Sequence, residues 1–458
     1  MDVERNLSNN HGGESSATDT RDGTINAFEI EEKGLPVKSA HDTFPEGGYQ
    51  AWATAFGAFV GSGMIYLIYQ PFHAVHAFLS QIYDIIWRLP RVHLTNESAS
   101  AISWIGSVNA FLVIGGGIVT GRIYDKGYFY TLMYTGALLI SFSLFMLSLT
   151  KPNHYYQVLL SQGFGVGIGI GMMYVPSIAI LSHYFQRRRI LVMTIVATGS
   201  SLGSTIHPIM LNNTLDRLGF PVASRANAGL ISGLLLISCL LMRTRLPPPE
   251  TSQDLGKALR KFTRDKAYVC CVLGFFFFVI GLYFPTFYLQ LDSIKHGLSP
   301  SFSFYSLVIM NASSCIGRIT AALAAGHVGT GNLVVGSTGA CCALIFGMIG
   351  VKSVASVVII AVFYGFSSGV YVSLMAPMVA TLADDFSEIG LRMGIGFTLA
   401  GVGGLIGTPI DGALLAQSYH WARPAAFSGS MAAVGCAFYC GMVYFIRVKH
   451  KNVEATKQ

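Results

Sequence analysis

From about residue 50 to residue 446, apolar blocks close to 20 residues long alternate with short polar connections, many of them basic. A helix needs ~20 apolar residues to cross ~30 Å of hydrocarbon. The two-residue alternation of a barrel wall is missing, so the blocks predict helices. They place spans near 50–70, 100–120, 130–150, 157–182, 190–211 and 226–243, then near 267–290, 302–324, 332–351, 354–377, 393–416 and 424–446. The expected fold is an all-α membrane protein of twelve transmembrane helices in two six-helix, pseudo-symmetric bundles. Its expected parts are a disordered acidic tail (1–48), an N-terminal bundle (49–243), a linker (244–266), a C-terminal bundle (267–446) and a basic tail (447–458). The linker contains Pro247, Pro248 and Pro249, and its basic amphipathic segment Leu255 to Phe262 is expected to lie along the membrane surface.

Composition agrees with a lipid environment, since 52% of the 458 residues are hydrophobic and only 12% are charged. The first 48 residues hold four basic and ten acidic residues and no apolar run, so neither folding nor a cleaved secretory signal is expected there. An even number of spans puts both termini on one side. If that side is cytosolic, the inner segments carry 17 Lys or Arg and the outer loops eight. This bias predicts cytosolic termini, with Arg187, Arg188 and Arg189 contributing most because their loop is short. Trp104 and Trp421 then fall at outer interfaces and Trp52 at an inner one. The sequons at Asn96 and Asn212 fall outside, making both candidate glycosylation sites; Asn212 lies closer to the bilayer. All eight cysteines sit within apolar blocks as packing residues, so no disulfide framework is expected.

The connection after the second span reads Gly121-Arg122-Ile123-Tyr124-Asp125-Lys126-Gly127. Glycine there lets backbones approach, the acid can cap a helix or pair with a base, and the bases hold the inner edge. A loop of this form, after the second of twelve spans, resembles the signature of the major facilitator superfamily. Further stretches resemble its monocarboxylate-transporter branch, and its fungal members in particular. They are Pro45 to Trp52 entering span one, Ser103 to Ser107 opening span two, Gln162 to Gly169, Tyr184 to Arg189, and Gly407 to Ile410. The resemblance implies a transporter whose two bundles rock about a central site, with the Gly121, Arg122, Asp125 and Lys126 loop as a cytosolic gate. It also implies residence in the plasma membrane.

Two departures bear on the substrate. Proton-coupled members of the branch pair an acid with an arginine one turn apart in span eight; Arg318 holds the arginine place, but Ser314 stands one turn earlier. Those members also use a span-one lysine, and none occurs between Lys38 and Lys126. The segment Pro71 to Leu94 departs as well, as either an outer interfacial helix or a retained intron in the gene model. His73 and His76 within it lack an acid or cysteine partner, so no metal site is expected.

Polar side chains inside a bilayer are the first functional candidates. Arg318 can attract an anionic group or snorkel to the nearby surface, and Asn311, two turns earlier, shares its face. His207 is a candidate proton carrier or a histidine bonded at the bend before Pro208. Asn109, Gln162 and Asp411 are further polar candidates, and Tyr283, Tyr288, Tyr364 and Tyr371 can shape a pocket or simply pack.

Gly199-Ser200-Ser201-Leu202-Gly203 satisfies G-x-S-x-G, but a nucleophile elbow needs a strand-turn-helix, and this stretch sits within a spanning helix. With no Walker loop for a nucleotide, no cofactor is expected, and transport is expected to draw on a gradient, protons being the candidate. The expected partners are a small-molecule substrate and the lipid bilayer, with no nucleic acid. The expected function is secondary transport of an organic anion or monocarboxylate-like solute. Efflux of a fungal secondary metabolite is the alternative, and a non-transporting nutrient receptor a remote third.

Overall fold

The computed structural model describes residues 45–63, 99–151, 154–246, 255–383, 388–415 and 420–457. The acidic tail up to residue 44, the segment Pro71 to Leu94, Asn96 and the prolines Pro247 to Pro249 lie outside them, as do the side chains of His207 and Asn212. The described residues form thirteen helices and no strand. The first group comprises α1 (49–63), α2 (Trp104–Asp125), α3 (Phe129–Leu147), α4 (Tyr155–His183), α5 (Arg189–Ile206) and α6 (Arg217–Leu241). A short helix, α7 (Leu255–Arg264), leads to α8 (Lys266–Lys295), α9 (Pro300–Val328), α10 (Thr330–Gly350), α11 (Val354–Thr381), α12 (Ile389–Leu415) and α13 (Ala422–Lys449). Eleven of these, all but α1 and α7, are long and apolar enough to cross a membrane.

Local chemistry fixes several helix starts. Asp265 accepts from the Tyr268 N–H at 3.2 Å before α8, Ser299 from the Phe302 N–H at 3.3 Å before α9, and Ser353 and Ser356 form a capping box at α11. The polar stretch after α5, expected as an outer loop up to residue 225, has instead a helical backbone, broken at Gly219, where φ is +73°. The sixth span accordingly starts at Arg217 rather than near 226. Helix also continues past α13 to Lys457.

Outward surfaces are apolar, as lipid requires: Leu138 and Phe142 on α3, Leu236 on α6, and Ile359 and Phe363 on α11 are all exposed. Inside, the second group is held by close helix contacts. A Cβ at Gly317 of α9 would collide with the Phe366 carbonyl of α11, and one at Gly365 of α11 with the Met310 carbonyl. Backbones meet there without intervening side chains, the small-residue packing that helices in lipid favour.

The linker helix α7 is docked on protein. Its Ala258 and Phe262 are buried, and the fully buried Arg392 of α12 lies between the Phe262 and Tyr268 rings, 4.5 and 5.0 Å from their centroids. Arg392 bonds Asp265 at 3.0 Å and Glu388 at 3.3 Å, while Lys261 of α7 reaches Glu388 at 2.5 Å. The amphipathic pattern therefore covers a protein surface.

Gly317→Ala should destabilise the fold by about 1–3 kcal/mol, because its methyl meets a carbonyl that cannot move aside. Gly336→Ala on α10, with nothing within 4 Å of its Cβ, should not. Thermal unfolding of the two variants in detergent checks the contrast; equal midpoints would contradict the packing.

Candidate functional site at the seam between the helix groups

Arg318 sits about ten residues before the end of α9, or about 15 Å from it at 1.5 Å per residue. That is roughly half of a ~30 Å hydrocarbon layer. Its side chain is buried and does not snorkel; it donates to the Ala197 carbonyl and the Ser200 hydroxyl, both on α5 of the other group. One turn earlier, Ser314 takes a hydrogen bond from Ser201 at 3.2 Å. The Gly199 to Gly203 stretch thus forms half of the central contact between the groups, with Gly199 packed against the Phe59 carbonyl of α1.

Toward the end that carries the Gly121 to Gly127 connection, here termed the loop face, α2 and α12 meet along bare backbone. A Cβ at Gly121 would lie 2.6 Å from the Gly390 carbonyl, and one at Gly117 would lie 3.2 Å from Gly394. Thr398 of α12 donates to the Gly115 carbonyl at 2.9 Å and accepts from the Ile118 N–H at 3.2 Å. The Asp125 carboxyl group packs on Gly390 and is hydrogen-bonded to the Leu391 N–H at the amino end of α12. Arg189, at the start of α5, donates to the Ala380 carbonyl at the end of α11 at 3.3 Å. Arg122 is half-buried, whereas Lys126 is exposed past the end of α2.

The remaining candidates divide. Asn109 of α2 and Gln162 of α4 are buried together, the Asn109 amide donating to the Gln162 carbonyl at 2.7 Å. Gln162 lies in a π-helical turn, Leu159–Gly165, a local widening that recurs at functional sites. Asn311 is half-buried and bonds the Leu307 carbonyl of its own helix at 3.0 Å. Tyr283 is half-buried, its ring 3.4 Å from where a Gly404 Cβ would stand. Tyr371 is not brought to the seam: its hydroxyl pairs with Tyr439 of α13 at 2.7 Å and its ring packs on Phe278, all within the second group.

Asp411, another polar candidate, is fully buried, with one oxygen accepting from Ser428 at 2.7 Å and the other without a partner. The eight cysteines are free, and among the described residues no cluster could hold a metal ion. Sequence reasoning missed Ser200, Ser201 and Thr398 as seam residues. Serines and threonines commonly bond their own helix carbonyls, as Ser204 does, so residue type alone does not single them out.

Two groups of lipid-spanning helices that meet along a seam of hydroxyl, carbonyl and guanidinium contacts are the architecture of a membrane transporter. Its sequence matches the profile of the Major Facilitator Superfamily over residues 51–354, and the chain belongs to that family. It is 33% identical to an MFS-type transporter 1 of Ophiocordyceps sp., over 88% of this chain and 86% of the relative. It is equally 33% identical to the aspyridones efflux protein of Emericella nidulans, over 90% and 81%. Its fold is like that of the E. coli fucose:proton symporter FucP in the outward conformation, with a TM-score of 0.63 at 14% identity over 84% of this chain and 98% of that one.

Asp125→Asn should weaken the closed loop face by about 0.3–1 kcal/mol, the usual range for an acid at a helix amino end. Turnover should fall roughly two- to fivefold with surface expression intact. Normal flux at normal expression would show that the charge is dispensable.

Proposed function

We propose that this transporter exports an amphipathic secondary metabolite, with Arg318 receiving the acidic or polar end of the molecule. The observation carrying the reading is the burial of Arg318 at the seam, bonded to α5 of the opposite group, so that a ligand engaging it must compete with the contact that joins the halves. The naming of a 33% identical relative as an efflux protein for aspyridones supports export of such a product over uptake of a small monocarboxylate. Ser314 in place of an acid, and the lack of a lysine between Lys38 and Lys126, point the same way. Transport of a small monocarboxylate is the second reading, favoured by Arg318 itself and by the resemblance to the monocarboxylate porter branch.

The bias of positive charge supports a cytosolic loop face and cytosolic termini, and we assign the protein to the plasma membrane with a proton gradient as its energy source. Asn96 would then face outward as a glycosylation site.

Proteoliposomes with an imposed pH gradient test this, using radiolabelled lactate and a panel of amphipathic polyketide acids. Flux of an amphipathic acid should exceed that of lactate. Arg318→Ala should lower it about tenfold or more, as expected for loss of a charge-assisted hydrogen bond. Lactate flux alone, lost in Arg318→Ala, would favour the second reading; amphipathic flux indifferent to that substitution would remove Arg318 from the substrate path.

A further inference from the structure

Glu46 is the non-glycine residue with a positive φ among the described residues, at +47°. A side chain in that region is held there against a steric cost, so the surrounding contacts must over-determine it. They do. Its backbone N–H donates to the Tyr184 carbonyl at 3.2 Å, and its carboxylate accepts from three consecutive N–H groups, those of Gln186 at 2.7 Å, Arg187 at 2.6 Å and Arg188 at 3.2 Å. Successive N–H groups curled around one anion form a nest. Six residues on, Trp52 meets the Phe185 ring edge-on at 5.4 Å. The strand of chain entering α1 is therefore strapped to the α4–α5 connection.

The next residue along that connection is Arg189, whose guanidinium bonds the Ala380 carbonyl of the other group. An acid and a base thus meet opposite helix ends across the seam. Asp125 of the first group lies on the amino end of α12, and Arg189, also of the first group, on the carboxyl end of α11.

Glu46 also fills a gap that the order of the helices creates. α5 and α12 are each fifth in their half, and α12 receives its acid from the connection after the second helix of the opposite half. The equivalent connection in the second half, Val328-Gly329-Thr330, has no acid, and none occurs anywhere between Asp292 and Asp384. The acid at the amino end of α5 comes from the chain before α1 instead.

We propose that Glu46 is a positioning residue for a second loop-face latch: by holding the nest at 186–188 it presents Arg189 to the end of α11, so that the face closes through Asp125 on α12 and Arg189 on α11 together. The inference rests on the reading of this face as a gate.

Hydrogen exchange of the full-length protein in lipid nanodiscs tests it without a substrate, comparing the native chain with Glu46→Gln, Glu46→Ala, Arg189→Gln and Asp125→Asn. Glu46→Gln keeps an acceptor oxygen and guards against misfolding of the alanine variant. Amides 184–189 should exchange faster in both Glu46 variants whatever the role of the residue. The latch predicts more: amides at the end of α11 and the first two turns of α12 should exchange about tenfold faster in Glu46→Ala and in Arg189→Gln. The double variant Glu46→Gln/Arg189→Gln should then add little to the larger single effect.

Faster exchange confined to 184–189 would reduce Glu46 to a local cap and overturn the inference. Additive effects of Glu46 and Arg189 would overturn the link between them. If Asp125→Asn also leaves α12 protected, the gate reading itself fails; if it exposes α12 while the Glu46 variants do not, only the Glu46 inference fails.

Discussion

A guanidinium half-way through a bilayer persists only where protein supplies its acceptors, and Arg318 finds two of them on the opposite group of helices. The rest of the seam follows from this. Ser314 and Ser201 meet one turn away, and Thr398 and the paired glycines of α2 and α12 continue the contact to the loop face. These named partners are hydroxyls and carbonyls, so when the halves part the α5 side is left neutral, and only Arg318 carries a charge that must find new acceptors. A seam of this kind holds the halves in register and still lets them part.

The spans could be read from the sequence because apolar length is nearly all that a membrane helix requires, and Arg318 stood out because a charge in hydrocarbon is costly. What stayed hidden depended on partners. Residues 212–225 are polar and read as a loop, yet the backbone is helical there apart from the break at Gly219. The amphipathic pattern of α7 was plain, but nothing in it announced that Arg392, more than 120 residues later, would lie between Phe262 and Tyr268. Tyr371, read from the sequence as able to shape a pocket or simply pack, pairs its hydroxyl with Tyr439 inside the second group. Ser200 and Ser201 drew notice only through a hydrolase pattern, whereas their place on α5 makes them seam residues.

Charge at the loop face is arranged by helix ends more than by ion pairs. Asp125 sits on an amino end, Arg189 on a carboxyl end, and Glu46 in a nest of amides. The clustered pairs among Lys261, Asp265, Glu388 and Arg392 serve another purpose, holding the linker helix to α12. The same helix therefore carries both the Asp125 contact and the anchor of the linker helix.

The meeting of Gly117 and Gly121 with Gly390 and Gly394 has a further consequence. Hydrophobic attraction scales with apolar area removed from water, and backbone pressed on backbone conceals little of it. When this zipper opens, few greasy side chains are uncovered, and the surface newly wetted is mostly amide, which water solvates well. The glycine zipper itself thereby adds little hydrophobic bias toward the shut form.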